Sequence, residues 1–216
     1  MVAKDALTTS NSNCKHQISK ALELFAQPSH ELSQIVRYYP RCVINPNLRQ
    51  PFEYLVRSII SQQLSSKAAS TIVGRVEVKL GRKKFSPKNI LALSFDELRA
   101  CGLSTAKVNY AHGIAQATLD KTIIFEDLYQ TNTEQAIEQL VALKGVGEWT
   151  AQMFCIFALG HLDVMATADV GLQRGLQILH QLDEKPNKQQ MLELTDSWRP
   201  YRSVGSWYLW RLADDN

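Results

Sequence analysis

The stretch Val141–Asp169, VALKGVGEWTAQMFCIFALGHLDVMATAD, gives the strongest structural signal in the sequence. Apolar residues recur at helical spacing on both sides of a short turn that runs from Leu143 to Gly147. They are Ala136, Ile137, Leu140 and Val141 before the turn and Ala151, Phe154, Cys155, Ala158 and Leu159 after it. Glycines flank Val146, and glycine accepts a positive φ without a Cβ clash. The stretch therefore predicts two helices joined by a tight hairpin.

The hairpin turn is suited to binding a phosphate. Its glycines leave backbone N–H groups bare at the start of the second helix, where the helix dipole strengthens their attraction for an anion. We interpret the turn as a contact to a phosphate backbone through four consecutive residues, Lys144, Gly145, Val146 and Gly147. The alternative is a glycine-containing loop that only joins two packed helices.

A carboxylate follows the hairpin at the start of another helix. Gly160 is a good terminator for the second helix of the hairpin, and Asp169 stands directly before a new helical pattern that begins at Val170. Backbone N–H groups and the helix dipole hold an N-cap aspartate ionised. Asp169 is therefore a candidate catalytic carboxylate, and a purely structural cap is the alternative.

The order of hairpin, Trp149, helix and Asp169 resembles the helix-hairpin-helix superfamily of base-excision DNA glycosylases. Within that superfamily the sequence is most similar to the DNA-3-methyladenine glycosylase II type. Four segments carry the resemblance: SIISQQLSSKAA at 58–69, LKGVGEWTAQM at 143–153, DVMATADVGLQRG at 163–175 and WRPYRSVGSWYLWR at 198–211. Together they extend it from about Pro51 to the C-terminus.

The rest of the chain predicts an all-α protein of about ten helices, because Val and Ile are nowhere arranged in alternating strands. The resemblance implies two helical lobes with a DNA-binding cleft between them. Transferred to this sequence, the central lobe spans 65–159 and carries the helix-hairpin-helix motif. The terminal lobe spans 13–64 plus 160–216, after a disordered tail over 1–12.

Composition fits a protein of this kind. The chain has 216 residues, 45% of them hydrophobic, and a net charge of +3, which is enough apolar material for a real core. Its widely spaced cysteines argue against a zinc site and a disulfide framework, and suit a reducing compartment. No apolar run approaches the roughly 20 residues that span a bilayer. We expect a monomer in the nucleoid or nucleus, with no membrane partner.

A basic run precedes the hairpin in the sequence. Its members are Lys67, Arg75, Lys79, Arg82, Lys83, Lys84 and Lys88, with Glu77 as the single acid among them. Such a run is either a solvated helix face or a surface that contacts the DNA backbone. We assign Lys67 to the backbone contact together with the hairpin. Near the C-terminus, Arg199 and Arg202 either contact phosphate or pair with acids.

The resemblance also implies a wedge and a base pocket. An enzyme that acts on a base in duplex DNA must extrude it, and a side chain must fill the gap. Gln63 aligns with the intercalating wedge of the family, with Leu64 beside it at a predicted turn; simple solvent exposure is the alternative. The implied pocket residues are Trp149, Met153 and Trp210. Trp149 replaces the lysine with which the lyase members form a Schiff base.

The resemblance thus implies a monofunctional glycosylase that hydrolytically removes alkylated purines, such as 3-methyladenine and 7-methylguanine, from double-stranded DNA in base excision repair. Alkylation makes the purine a good leaving group, so Asp169 need only stabilise the oxocarbenium-like sugar and orient water. No cofactor is required, although family hairpins hold a monovalent cation, here through the backbone carbonyls of Leu143 and Val146. The alternatives are a DNA-binding module without activity and a bifunctional glycosylase/lyase.

Overall fold

A computed structural model describes residues 2–44, 46, 50–81 and 83–215 of the protein, with side chains from Cys14 onward. All regular structure within these ranges is helical, which confirms the predicted all-α class. The α-helices number twelve in this part of the chain, against about ten expected, because several are short. None of these helices is both long and apolar enough to cross a membrane.

The helices follow one another with short connections. In chain order they are α1 (Val2–Phe25), α2 (Ser33–Tyr38), α3 (Pro51–Ser61), α4 (Ser66–Leu80), α5 (Pro87–Leu91), α6 (Phe95–Cys101), α7 (Thr105–Leu119), α8 (Thr133–Val141), α9 (Glu148–Phe154), α10 (Val170–Leu179), α11 (Lys188–Leu194) and α12 (Arg202–Asp214). A π-helical turn, Cys155–Leu159, continues α9. Short 3₁₀ turns lie at Asp127–Gln130 and Asp196–Trp198.

Local sequence signals set many of the helix ends. Pro51 occupies the first turn of α3, where its missing N–H has no intrahelical role. Ser94 and Glu97 form a capping box at the start of α6, as the spacing predicts. Gly102, with φ of 107°, ends that helix in the left-handed region. Proline placement, side-chain capping and glycine conformation therefore account for these helix ends.

The central unit comprises Arg49–Phe154. One face of α3 is buried through Phe52, Leu55, Val56, Ile59 and Ile60, and it packs against α4, α7 and α9. Burying such a side chain stabilises the fold by about 1.5–3 kcal/mol. The sequence placed α3 in the terminal lobe, with the boundary after Leu64. The structure instead groups α3 with the central helices, because its apolar face is buried there.

The terminal unit comprises Met1–Leu48 and Cys155–Asn216. Here α10 packs closely against α12: a Cβ on Gly175 would lie 2.6 Å from the carbonyl oxygen of Leu209. Trp198 is fully buried in this unit. Residues 2–12, for which the sequence predicts a disordered tail together with residue 1, are helical as the beginning of α1. Neither Gly nor Pro interrupts the chain there, so nothing stops the helix from extending toward the N-terminus.

Candidate active site

The hairpin between α8 and α9 has the predicted form. The N–H of Val146 donates to the carbonyl of Leu143 (3.0 Å), and the N–H of Ala151 donates to the carbonyl of Gly147 (3.0 Å). Leu143 and Val146 are buried beneath the turn, whereas Lys144 and Gly147 are exposed. The sequence predicts bare N–H groups at the start of α9; within the turn itself, the N–H of Val146 already has the carbonyl of Leu143 as its acceptor.

The two glycines of the turn have different roles. Gly145 has φ of 93°, and a Cβ there would overlap the ring of Tyr110. Gly147 has no positive φ, and a Cβ there would meet nothing within 4 Å. The fold therefore requires glycine at Gly145. At Gly147 the open space leaves the backbone accessible to a ligand, which is the role that the glycine pattern predicts for both glycines.

The turn that follows α3 presents the predicted wedge residues at the surface. Gln63 is exposed and has φ of 56°, and Leu64 keeps 38% of its surface exposed. The N–H of Leu64 donates to the carbonyl of Ser61 (3.2 Å), which closes the turn. Lys67 is exposed in the first turn of α4. These positions fit wedge and backbone contacts, which stay predictions.

Two residues near this turn make contacts that the sequence did not predict. Gln62 donates through Nε2 to the carbonyl of Gly145 (3.1 Å) and to the hydroxyl of Thr150 (3.2 Å). Lys107 donates through Nζ to the carbonyls of Ile60 (2.8 Å) and Gln62 (2.6 Å). Their partners are distant in sequence, so no local sequence pattern predicts these contacts.

The basic run lies mostly on the surface of the central unit. Its exposed members are Lys67, Arg75, Lys79, Lys83, Lys84 and Lys88, and Arg82 lies outside the described residues. Lys79 is 3.6 Å from Glu97, and the acid of the run, Glu77, pairs with Arg57. The run thus forms a basic surface, and contact with DNA stays a prediction for it.

Trp149 and Met153 lie four residues apart on α9, which places their side chains on the same face. Trp149 is 46% exposed and Met153 is 8% exposed. The exposed indole of Trp149 offers an aromatic surface with an N–H donor at its edge. Trp149 therefore lies outside the core, unlike Trp198, which is fully buried.

Asp169 is the N-cap of α10, as predicted. Its Oδ1 accepts hydrogen bonds from the backbone N–H of Leu172 (2.9 Å) and from the indole N–H of Trp210 (3.1 Å). Only 8% of Asp169 is exposed. The carboxylate is therefore oriented by two N–H donors, one from the backbone and one from a side chain on α12.

Trp210 is itself held in place on both sides. Its ring stacks on Phe157, with centroids 5.7 Å apart and planes inclined by 29°. A Cβ on Gly171 would lie 3.0 Å from Cδ1 of Trp210 and 3.1 Å from Oδ1 of Asp169. Glycine at this position thus leaves room for the indole beside the carboxylate. Phe157 could not be predicted from the sequence, because helical periodicity does not reveal the π-helical turn in which it lies.

The connection that precedes Asp169 is anchored to the start of α12. Arg202 makes a bidentate ion pair with Asp163, at 2.6 and 3.0 Å, the geometry in which arginine binds carboxylates most strongly. Arg199 pairs with Asp163 as well, at 3.0 Å. The hydroxyl of Ser203 accepts from the N–H of Val164 (3.0 Å). The two arginines therefore pair with acids, one of the two roles that the sequence left open.

Comparison with known proteins identifies the family to which the chain belongs. The chain belongs to the HhH-GPD superfamily of base excision DNA repair proteins, whose family model matches residues 56–200.

Its relatives share most of the chain. It is 36% identical to DNA-3-methyladenine glycosylase 1 of Schizosaccharomyces pombe, over 76% of this chain and 73% of the relative. The structure of the 3-methyladenine DNA glycosylase of that yeast with abasic DNA superposes with a TM-score of 0.79, at 32% identity, over 89% of this chain and 95% of that one. DNA-3-methyladenine glycosidase of Bacillus halodurans superposes with a TM-score of 0.77 at 37% identity, over 91% of this chain and 88% of that one.

Proposed function

We propose that this protein is a DNA-3-methyladenine glycosylase of type II that hydrolytically removes alkylated purines from double-stranded DNA. The observation that carries the proposal is Asp169, nearly buried and held by the N–H groups of Leu172 and Trp210. A purely structural N-cap needs only the backbone bond. The indole adds a second donor that fixes the direction of the carboxylate, as a catalytic group requires.

The chemistry follows from the substrate. A purine alkylated at N3 or N7 carries a positive charge, so the bond from C1′ to N9 breaks with its electron pair moving onto the purine. The sugar is left as an oxocarbenium ion, whose charge Asp169 stabilises electrostatically. Water then adds to C1′, and the carboxylate accepts its proton. This hydrolysis needs no oxidant, no reductant and no second acid.

Binding to the duplex is assigned to the central unit. The exposed backbone of Gly147 and the side chains of Lys144 and Lys67 contact phosphates, which supplies affinity without sequence selectivity. Gln63, with Leu64 beside it, fills the gap that the extruded nucleotide leaves. Trp149 offers an exposed aromatic surface, on which a cationic base stacks favourably.

We also propose a monovalent cation at the hairpin, held by the backbone carbonyls of Leu143 and Val146. A backbone carbonyl has two lone pairs, and that of Leu143 uses one for the N–H of Val146. The donor set therefore fits a cation that prefers oxygen ligands. When bound, such an ion supplies positive charge beside a phosphate.

The enzyme is proposed to be monofunctional, because the position of Trp149 holds no amine that could attack the sugar. It acts as a monomer where genomic DNA is found, in the nucleoid or nucleus. The experiment is incubation of a methylated duplex with the protein, followed by chromatography of released bases and electrophoresis with and without alkali.

The expected result is released alkylpurine, strand breaks only after alkali, and no covalent adduct after borohydride. Breaks without alkali, together with a trapped adduct, would make the protein a lyase. Binding to DNA without any base release would favour the binding-module alternative.

A further inference from the structure

One side chain ties the turn after α3 to the hairpin. Gln62 stands at the end of α3, and its amide nitrogen donates to the carbonyl of Gly145 (3.1 Å) and the hydroxyl of Thr150 (3.2 Å). Gly145 lies in the hairpin turn and Thr150 in the first turn of α9. The residue directly before Gln63 is therefore fastened to the element assigned to the phosphate backbone.

Lys107 of α7 holds the same turn from another direction. Its ammonium donates to the carbonyls of Ile60 (2.8 Å) and Gln62 (2.6 Å) at the end of α3. The last carbonyls of a helix lack partners within the helix, and the dipole favours a cation there. Partial burial of the ammonium lowers the pKa of Lys107.

A second residue of α7 contacts the hairpin. Tyr110 is three residues after Lys107, so both side chains lie on one face of the helix. The ring of Tyr110 packs so tightly on Gly145 that a Cβ there would overlap it. One face of α7 thus braces the turn after α3 and the hairpin together.

The braced turn holds Gln63 in an uncommon conformation. Its φ of 56° lies in the left-handed region, which a residue other than glycine adopts only when its surroundings impose it. We propose that Gln62 and Lys107 are positioning residues that fix Gln63 for insertion into the base stack when the hairpin holds the phosphate backbone. This inference rests on the proposed binding of damaged duplex DNA.

The experiment measures Kd by fluorescence anisotropy for two duplexes, one unmodified and one with a tetrahydrofuran abasic analogue. Gln62→Met and Lys107→Met remove the donors while keeping side-chain length, and Lys107→Arg keeps a charged donor. Gln116→Met is the matched control, since that glutamine pairs with Asp120 on the exposed part of α7.

Gln62→Met and Lys107→Met are expected to weaken binding to the abasic duplex by about tenfold, and to the unmodified duplex by less than about twofold. A purely structural role would weaken both equally. Lys107→Arg should recover most of the selectivity for the abasic duplex. If Lys107→Met does not fold, the Gln62→Met variant carries the test alone, because it leaves the lysine in place.

A double-mutant cycle with Gln63→Ala completes the test. In that background Gln62→Met should cost less than about twofold further, because the residue that it positions is gone. Three results would each overturn the proposal. The variants could lose affinity equally for both duplexes, or Gln62→Met could weaken binding by the same factor in the Gln63→Ala background. Gln63→Ala itself could also keep the wild-type selectivity for the abasic duplex. A wild-type protein that releases no alkylated base would refute the proposed function, yet the binding ratios would still decide this inference.

Discussion

Replacement of Trp210 by phenylalanine tests the role of the indole N–H that donates to the carboxylate of Asp169. A phenyl ring keeps the aromatic stack on Phe157 but removes the donor that lies 3.1 Å from Oδ1 of Asp169. A hydrogen bond to a charged group contributes about 1.5–3 kcal/mol, which corresponds to roughly 10- to 150-fold in rate. Leu172 still holds the same oxygen through its backbone N–H. We therefore expect the lower end, about a tenfold loss.

The assay is single-turnover release of 3-methyladenine and 7-methylguanine from matched oligonucleotides. The two rates should fall by the same factor, because the loss concerns the carboxylate rather than the base. Trp207→Phe is the control on the same helix, where the ring contacts Tyr39 and Tyr208; its rate should stay within about twofold of wild type. A Trp210→Phe rate within that same range would refute the positioning role of the indole, and unequal losses would assign Trp210 to the base pocket instead.

Three further predictions concern the hairpin, the helix packing and the substrate range. Gly147→Ala should weaken binding to damaged and undamaged duplexes alike by about tenfold. It should lower the free energy of unfolding by less than about 1 kcal/mol. Gly145→Ala should instead lower the melting temperature, because the new Cβ would overlap the ring of Tyr110 and the backbone there has φ of 93°. Gly175→Ala should destabilise the fold by about 1–3 kcal/mol in urea unfolding, since its Cβ meets the carbonyl of Leu209 at 2.6 Å. Hypoxanthine, a neutral base, should be released about 10²- to 10⁴-fold more slowly than 3-methyladenine without a general acid; equal single-turnover rates would reveal an acid in the site.

Local patterns predicted the parts of the site that depend on neighbouring residues. The hairpin could be predicted from the glycines around Val146 and the apolar spacing on each side, because a tight turn and helical periodicity are properties of short segments. Asp169 before Val170 gave the N-cap for the same reason. The resemblance implied that Trp149 lines the base pocket, and this stays a prediction; the side chain is exposed on α9.

Contacts between distant residues could not be predicted in this way. Gln62 reaches Gly145 and Trp210 reaches Asp169 across long stretches of chain, and a single polar side chain does not reveal its partner. The assignment of α3 to the central unit depends on which helices cover its apolar face, a property that periodicity leaves open. For the same reason the sequence attributed Gly145 to phosphate contact, whereas the ring of Tyr110 already requires a glycine there.

Substitution of Asp169 by asparagine tests the catalytic assignment most directly. Asparagine caps helices about as well as aspartate, so α10 and the bonds from Leu172 and Trp210 should persist while the negative charge is lost. Single-turnover excision of 3-methyladenine should fall by at least about 10²-fold, while Kd for abasic duplex DNA should change by less than about threefold. Excision at a near wild-type rate by Asp169→Asn, with folding intact by circular dichroism, would contradict the account.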